Sequence, residues 1–155
     1  SHNQLTIHVI QQVIANIKPL PGATQFLTWL RKRTELIIVS DTFKEFADPI
    51  MEKLGRPTLF CNSLSIDHLG SIHGYHLRQH DGKKRVVEAL QNLNYKVIAI
   101  GDSYNDINML RKAEAGILYR PPGNVVNDHG DLPIADSYDE LKKIICGILA
   151  PDTEN

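Results

Sequence analysis

The apolar positions of the chain fall into two patterns, short unbroken runs and stripes at helical spacing. Unbroken runs occupy Leu36–Val39, Val97–Ile100 and Ala115–Leu118. Runs of this kind, rich in β-branched residues, are typical of strands buried on both faces of a parallel sheet. Helical spacing predicts helices over residues 5–17, 22–33, 43–54, 82–90, 107–113 and 138–149, and a helical turn at 124–128. The alternation of strands with helices predicts a doubly wound, mainly parallel α/β sheet.

Two of these helices have ambiguous sequences. Residues 5–17 place Val9, Val13 and Ile17 on one helical stripe, but their β-branched content leaves a strand as the alternative. We favour the helix. The helix at 43–54 contains Asp48-Pro49, which leaves an interrupted helix as the alternative because proline lacks the amide hydrogen that a helix needs.

The middle of the chain predicts antiparallel structure. A short strand at Thr58–Cys61 is followed by alternating segments at Leu64–Ile66 and Ile72–Leu77, which predict a hairpin. Four histidines lie in or near it: His68, His73, His76 and His80. Their spacing matches no compact zinc pattern and no cysteine assists, so exposed hairpin histidines are the favoured interpretation.

Composition narrows the function classes. The chain has 155 residues, 42% of them hydrophobic, and a net charge of -1, which predicts one globular domain and argues against an electrostatic nucleic-acid binder. No apolar run is long enough to span a membrane. The two cysteines form no Cys-x-x-Cys pair, so a reducing cytoplasm is the expected compartment.

The segment Gly101–Asp106, Gly-Asp-Ser-Tyr-Asn-Asp, follows the strand at Val97–Ile100 and carries two carboxylates. Carboxylates brought together at the end of a strand repel one another unless a cation lies between them, and Mg²⁺ prefers such ligands together with water and phosphate oxygens. The alternative is that Asp102 is a turn residue and Asp106 a helix cap. The loop alone supports both equally.

A second polar segment, Ser40-Asp41-Thr42, follows the strand at Leu36–Val39. Its hydroxyls and the amides of the next helix could bind an anion, although taken alone Asp41 or Thr42 as a helix cap is favoured. Lys83 and Lys84 lie in the first turn of a helix, where cations indicate either a nearby anion or simple exposure. A hydroxyl, a cation and two acids at one edge of a sheet are what phosphoryl transfer requires.

Taken in order, Ser40 after an apolar strand, Lys83 at a helix start and Gly101–Asp106 resemble the second, third and fourth motifs of the haloacid dehalogenase-like phosphatase superfamily. Together with Lys18–Gly22 and Ala115–Leu118 they resemble its phosphoserine phosphatase branch, which includes members that pass the phosphate to homoserine. The resemblance implies Mg²⁺-dependent hydrolysis or transfer of the phosphate of phosphoserine through an aspartyl-phosphate.

The resemblance also implies roles for single residues. Asp102 would bind the metal, and Asp106 would bind it directly or through water. Ser40 would donate a hydrogen bond to the phosphoryl group, and Lys83, placed by the apolar positions that follow it, would neutralise charge. The residues implied for substrate or phosphate binding are Asp41, Thr42 and Asn105.

The chain departs from the family pattern in one respect. The first motif, Asp-x-Asp-Gly, carries the nucleophile and the general acid, and no Asp-x-Asp occurs in this sequence. The chain is therefore expected to be a truncated enzyme that is inactive as given. Residues 1–18 would be the remnant of a helical cap, residues 19–150 the core domain and residues 151–155 a tail.

The missing motif also implies a missing strand, between those that end at Ser40 and at Asp102. A preceding segment of a longer protein, residues near 5–17 or a second copy of the chain would fill the gap. The alternative function is a non-catalytic remnant that binds phosphate, a metal or a protein partner. A phosphoacceptor receiver domain is disfavoured because the acids precede the hydroxyl and the lysine comes last in that family.

Overall fold

The computed structural model describes residues 6–150, which form an α/β chain of two compact units that meet in sequence at His80 and Asp81. Each unit contains one three-stranded sheet. The predicted α/β class with parallel strand pairing is confirmed.

The first unit packs helices against a mixed sheet. Its elements are α1 (Ile7–Ala15), α2 (Ala23–Arg31), β1 (Ile37–Phe43), α3 (Lys44–Lys53), β2 (Thr58–Ile66) and β3 (Ile72–His76). Strand β2 is central, parallel to β1 and antiparallel to β3. The predicted hairpin is confirmed, and residues 7–15 are helical, so they add no strand to this sheet.

The second unit is wholly parallel. Its elements are α4 (Gly82–Asn92), β4 (Ile98–Gly101), a 3-10 turn (Tyr104–Asp106), α5 (Ile107–Lys112), β5 (Ala115–Tyr119), α6 (Gly123–His129), β6 (Ile134–Ala135) and α7 (Tyr138–Leu149). Strand β5 lies between β4 and β6. The two-residue strand β6 was not predicted, because Ile134-Ala135 is too short to carry a periodic signal.

The core of the second unit forms where α4, α5 and α6 cover the sheet. Val87, Leu110, Leu118 and Val125 are at most 2% exposed and pack together. Gly116 permits this packing, because a Cβ atom there would lie 2.4 Å from the carbonyl oxygen of Leu110. Helix α5 therefore lies directly on β5, and the loop before α5 is held close to the end of the sheet.

The segment that follows the first predicted strand differs from expectation. Strand β1 continues through Ser40, Asp41 and Thr42 to Phe43, with an irregular register between Val39 and Phe43. The N-cap of α3 is Phe43, so the prediction that Asp41 or Thr42 caps this helix is wrong. Pairing with β2 extends the strand beyond the apolar run, which local sequence does not reveal.

Strand β2 also differs from prediction. The segments Thr58–Cys61 and Leu64–Ile66 belong to one strand of nine residues. Its first part pairs with β1 and its second part with β3. The intervening polar residues Asn62 and Ser63 remain in the strand because both take part in these ladders.

Helix α3 is continuous through Pro49, so the helix predicted over residues 43–54 is not interrupted. Proline has no amide hydrogen to donate to the carbonyl oxygen of Glu45, four residues earlier. The side-chain amide of Gln11, on α1, donates to that oxygen instead at 3.0 Å. Helix α1, which packs against α3, therefore supplies the hydrogen bond that Pro49 cannot make.

Two of the four edge strands, β1 and β4, lie next to polar residues of the predicted site. Within the described residues, β1 pairs only with β2 and β4 only with β5. Each has one edge with unpaired backbone groups, the kind of edge to which another strand can add.

None of the helices within residues 6–150 combines the length and the apolar character needed to cross a membrane.

Replacement of Gln11 should test the contact that supports Pro49. Gln11→Ala leaves the Glu45 carbonyl oxygen without its donor and should lower the free energy of unfolding by about 1 kcal/mol in urea titrations. Gln12→Ala is the matched control, because Gln12 is exposed and contributes only its backbone carbonyl, to Asn16. Equal stability of the two variants would contradict the assignment.

Candidate functional site

The carboxylate of Asp106 organises the loop that follows β4. Its Oδ2 atom accepts hydrogen bonds from the backbone amides of Asp102 and Ser103, at 3.0 and 3.2 Å, and from the Ser103 hydroxyl at 3.1 Å. Its Oδ1 atom accepts from Nζ of Lys83 at 2.8 Å. Four donors therefore converge on one carboxylate, which is only 6% exposed.

The ion pair of Lys83 and Asp106 is buried: 14% of the Lys83 side chain and 9% of the Asp106 side chain are exposed. Burial raises the pKa of the Asp106 carboxyl, while the hydrogen bond and the charge of Lys83 lower it. The two loop amides lower it further, and the net pKa lies below the ordinary value of 3.8. Asp106 is thus held ionised by the groups that surround it.

Gly101 is required for this arrangement. A Cβ atom at position 101 would lie 2.5 Å from the Cβ atom of Asp106 and 2.6 Å from its Cγ atom, closer than nonbonded carbons approach. Only glycine lets the Asp106 side chain fold back against the end of β4.

Two other polar side chains of the loop are exposed to solvent. Asp102 and Asn105 are exposed, and Asp102 shows no side-chain hydrogen bond or ion pair within the described part of the second unit. Lys84 pairs with Glu88 at 3.6 Å on the outside of α4, whereas Lys83 faces the loop. Of the two lysines in the first turn, the structure places Lys83 against the acidic loop.

Tyr104 contacts α6, which sequence reasoning did not anticipate. Its hydroxyl lies 3.1 Å from the carbonyl oxygen of Asn124 and donates to the carboxylate of Asp128. Its ring meets the ring of His129 edge-on, with centroids 5.8 Å apart. The hydrogen bond to Asp128 raises the pKa of Tyr104, followed by burial and the charge of Asp128. No sequence signal links residues 24 positions apart.

Ser40 and Thr42 lie two residues apart on β1 and therefore face the same side of the strand. Both line a groove of about 390 Å³ in the first unit, whose other lining residues are apolar. The Ser40 hydroxyl oxygen accepts the amide hydrogen of Thr42 at 3.2 Å. Asp41 is exposed, and its carbonyl oxygen accepts from the side chain of Asn62 at 2.9 Å.

The loop residues fit Mg²⁺ in a particular way. Oδ2 of Asp106 accepts three hydrogen bonds and is saturated, whereas Oδ1 accepts one, from Lys83. Asp106 would therefore reach a metal through Oδ1, directly or through water, and the exposed Asp102 carboxylate would bind it directly. Within residues 6–150 no three Asp, Glu, His or Cys side chains gather into a metal site. A metal here would take its remaining ligands from water and phosphate, as Mg²⁺ commonly does.

Two of the hairpin histidines contact polar side chains of the same hairpin. Nε2 of His73 lies 2.8 Å from the Asp67 carboxylate, and Nε2 of His76 lies 2.8 Å from the Ser65 hydroxyl. Both histidines are exposed, in agreement with the interpretation favoured from the sequence.

The predicted site residues are thus divided between the units. The second unit brings Lys83, Asp102, Asn105 and Asp106 to one loop and helix start. Ser40, Asp41 and Thr42 lie together in the first unit. That all seven form one site stays a prediction.

Comparison with known proteins gives a consistent family. The model of the haloacid dehalogenase-like hydrolase family matches residues 2–114. The chain is 50% identical over 134 residues to phosphoserine phosphatase ThrH of Pseudomonas aeruginosa, and 48% identical over 134 residues to a phosphoserine phosphatase of Pseudomonas syringae pv. tomato. Each match covers 86% of this chain, and the chain spans 65% and 56% of these relatives.

Solved structures agree with this match. A substrate-bound phosphoserine phosphatase complex superposes with a TM-score of 0.74 at 25% identity, covering 92% of this chain and 70% of that one. A phospho-aspartyl intermediate analogue of phosphoserine phosphatase gives 0.73, with the same identity and coverage.

Adding a methyl group at position 101 should displace the Asp106 carboxylate. We expect Gly101→Ala to lower the free energy of unfolding by roughly 1–3 kcal/mol, the usual cost of overpacking, and to return the pKa of Asp106 toward its ordinary value. Carbon-detected NMR titration of the Asp106 carboxyl measures the second effect. Gly147→Ala is the control, because nothing lies within 4 Å of a Cβ atom there. An unchanged Asp106 pKa in Gly101→Ala would refute the proposed crowding.

Loss of the Asp106 charge should have a pH-dependent cost. Asp106→Asn removes the anionic partner of the buried Lys83 and should destabilise the fold by about 3 kcal/mol at neutral pH. Because the folded pKa of Asp106 lies below 3.8, its contribution is complete above that value and is lost as the pH falls through the folded pKa. Urea titrations from about pH 7 to about pH 3 should show the gap from wild type narrowing in acid.

The matched control for this pair is Asp131→Asn. Asp131 pairs with Arg111 at the surface, with side chains 60% and 43% exposed, so its loss should destabilise the fold much less than the loss of the buried Asp106. A gap between wild type and Asp106→Asn that is independent of pH would show that the Asp106 charge does not contribute as described.

Proposed function

Since the chain belongs to the haloacid dehalogenase-like hydrolase family, we propose that it carries the metal- and phosphate-binding part of a Mg²⁺-dependent phosphoserine phosphatase. The main support is the buried pair of Lys83 and Asp106 beside the exposed carboxylate of Asp102. This pairing places fixed charges of both signs at the end of a parallel strand, where α/β folds bind ligands. The relatives named phosphoserine phosphatase supply the substrate class.

In this proposal Asp102 and Asp106 hold the metal, Asp102 directly and Asp106 either directly or through water. When bound, Mg²⁺ would neutralise charge on the phosphate oxygens. Asp106 has a second task, because its hydrogen bonds to the Asp102 and Ser103 amides fix the backbone from which the Asp102 carboxylate projects.

Each unit carries residues suited to binding a phosphate. Lys83 places its ammonium charge between Asp106 and the phosphoryl group, as a point charge suited to this role. The Ser40 oxygen accepts the Thr42 amide hydrogen, so the hydroxyl proton of Ser40 is directed to another acceptor, for which we propose a phosphate oxygen. Asn105 orients the substrate, and Asp41 and Thr42, which lie beside Ser40 on β1, are the further residues that we propose for phosphate binding.

The reaction also needs an attacking carboxylate. The sequence contains no Asp-x-Asp, so we propose that a segment outside it supplies the nucleophile, which forms the aspartyl-phosphate. A strand from that segment or from a second copy would pair with the open edge of β1 or with that of β4. In this proposal residues 1–18 belong to the cap and residues 19–150 to the core domain. The enzyme would be cytoplasmic, and its phosphate acceptor would be water or homoserine.

Hydrolysis of phosphoserine by the full-length natural protein tests the proposal. We expect Mg²⁺-dependent release of phosphate, and a loss of about 100-fold or more in kcat for Lys83→Ala, since removing a fixed charge from a transition state typically costs that much. Lys84→Ala is the matched control and should retain nearly full activity, because Lys84 pairs with Glu88 at the surface.

Three outcomes would contradict this function. They are no Mg²⁺-dependent hydrolysis of phosphoserine by the full-length protein, equal loss of activity in the two lysine variants, or full activity in Lys83→Ala. Binding of phosphate or Mg²⁺ without hydrolysis by that protein would instead identify a non-catalytic relative.

A further inference from the structure

Tyr104 lies in the Asp102–Asp106 loop, and its side chain reaches helix α6 of the second unit. Its hydroxyl lies within hydrogen-bond distance of Asn124 and Asp128, and its ring packs on His129, all on α6. A hydroxyl hydrogen bond and a ring contact to the same helix define the position of the tyrosine more tightly than a single hydrogen bond would.

The hydroxyl has one proton, so it donates to one of its two acceptors. The carboxylate of Asp128 is the stronger acceptor, because hydrogen bonds to charged groups are about twice as strong as neutral ones. The ring adds an edge-on aromatic contact, worth more than its buried area alone.

Helix α6, to which Tyr104 is bonded, packs into the core of the second unit. Val125 is fully buried and belongs to the cluster that includes Leu110 and Leu118. A side chain tied to α6 is therefore tied to the core of the second unit.

We propose that Tyr104 is a positioning residue that ties the outward half of the loop to α6 and so holds Asp102 and Asn105 in place. Asp106 holds the same loop from within, through the amides of Asp102 and Ser103. Two attachments on opposite sides leave the exposed carboxylate of Asp102 little freedom. The catalytic consequence rests on the proposed function, whereas the positioning does not.

Amide hydrogen exchange of the 155-residue chain tests the positioning directly. Tyr104→Phe keeps the ring but loses the hydroxyl, and we expect the Asp102 and Ser103 amides to exchange about tenfold faster. Asp128→Ala should have the same effect, and the double variant should add nothing further, because the two side chains act as one contact. Asn127→Ala, on the same helix and exposed, is the control and should exchange like wild type.

The most protected amides of β5 separate a local from a global effect. Positioning requires that these amides exchange at the wild-type rate in Tyr104→Phe. A general acceleration, or unchanged exchange at Asp102 and Ser103, would overturn the proposal.

In the full-length protein, Tyr104→Phe should lower kcat and raise the Mg²⁺ concentration needed for half-maximal activity, with little change in KM for phosphoserine. If loop exchange accelerates but the wild-type protein does not hydrolyse phosphoserine, the proposed function fails and the positioning role stands. If the loop is unaffected while wild-type activity is present, the positioning role fails alone.

Discussion

The second unit depends on the burial of one charge, the carboxylate of Asp106. A buried carboxylate is stable only when hydrogen-bond donors and an opposite charge replace the water it has lost. Lys83 supplies the charge, and the amides of Asp102 and Ser103 supply backbone donors. Because those amides belong to the loop itself, satisfying the carboxylate and shaping the loop are the same event. The arrangement that stabilises Asp106 also determines where the Asp102 side chain leaves the backbone.

Close backbone approach makes this arrangement possible. The Asp106 side chain fits because Gly101 has no Cβ atom, and α5 lies on β5 because Gly116 has none. These two glycines bring the end of β4, the loop and the start of α5 within contact distance. The site is therefore built on a strand end and a helix start, whose positions the packed core of the second unit sets. Rigid elements hold functional groups more accurately than free loops do.

The edges of the two sheets can be considered together with the lengths of the related proteins. Strands β1 and β4 each end a sheet within the described residues, and the chain spans less than two thirds of the two Pseudomonas relatives.

The groove beside Ser40 and Thr42 is lined mostly by apolar side chains, which makes it a surface suited to burial. The support that α1 gives to α3 through Gln11 shows how contacts between helices compensate for an unfavourable residue such as Pro49.

The sequence by itself determined the fold class, most helices and the identity of the polar residues at the strand ends. Apolar periodicity reports which face of an element is buried, and glycine, proline and acidic residues mark where elements end. The sequence did not determine the continuity of β2, the extension of β1 through Ser40 or the intact helix at Pro49. These features depend on hydrogen bonds to partners distant in sequence. The sequence left Asp106 as either a cap or a metal ligand. Only the tertiary structure decided that the Asp106 carboxylate accepts hydrogen bonds from Lys83 and from the loop amides at the same time. This arrangement requires the start of α4 to lie beside the end of β4.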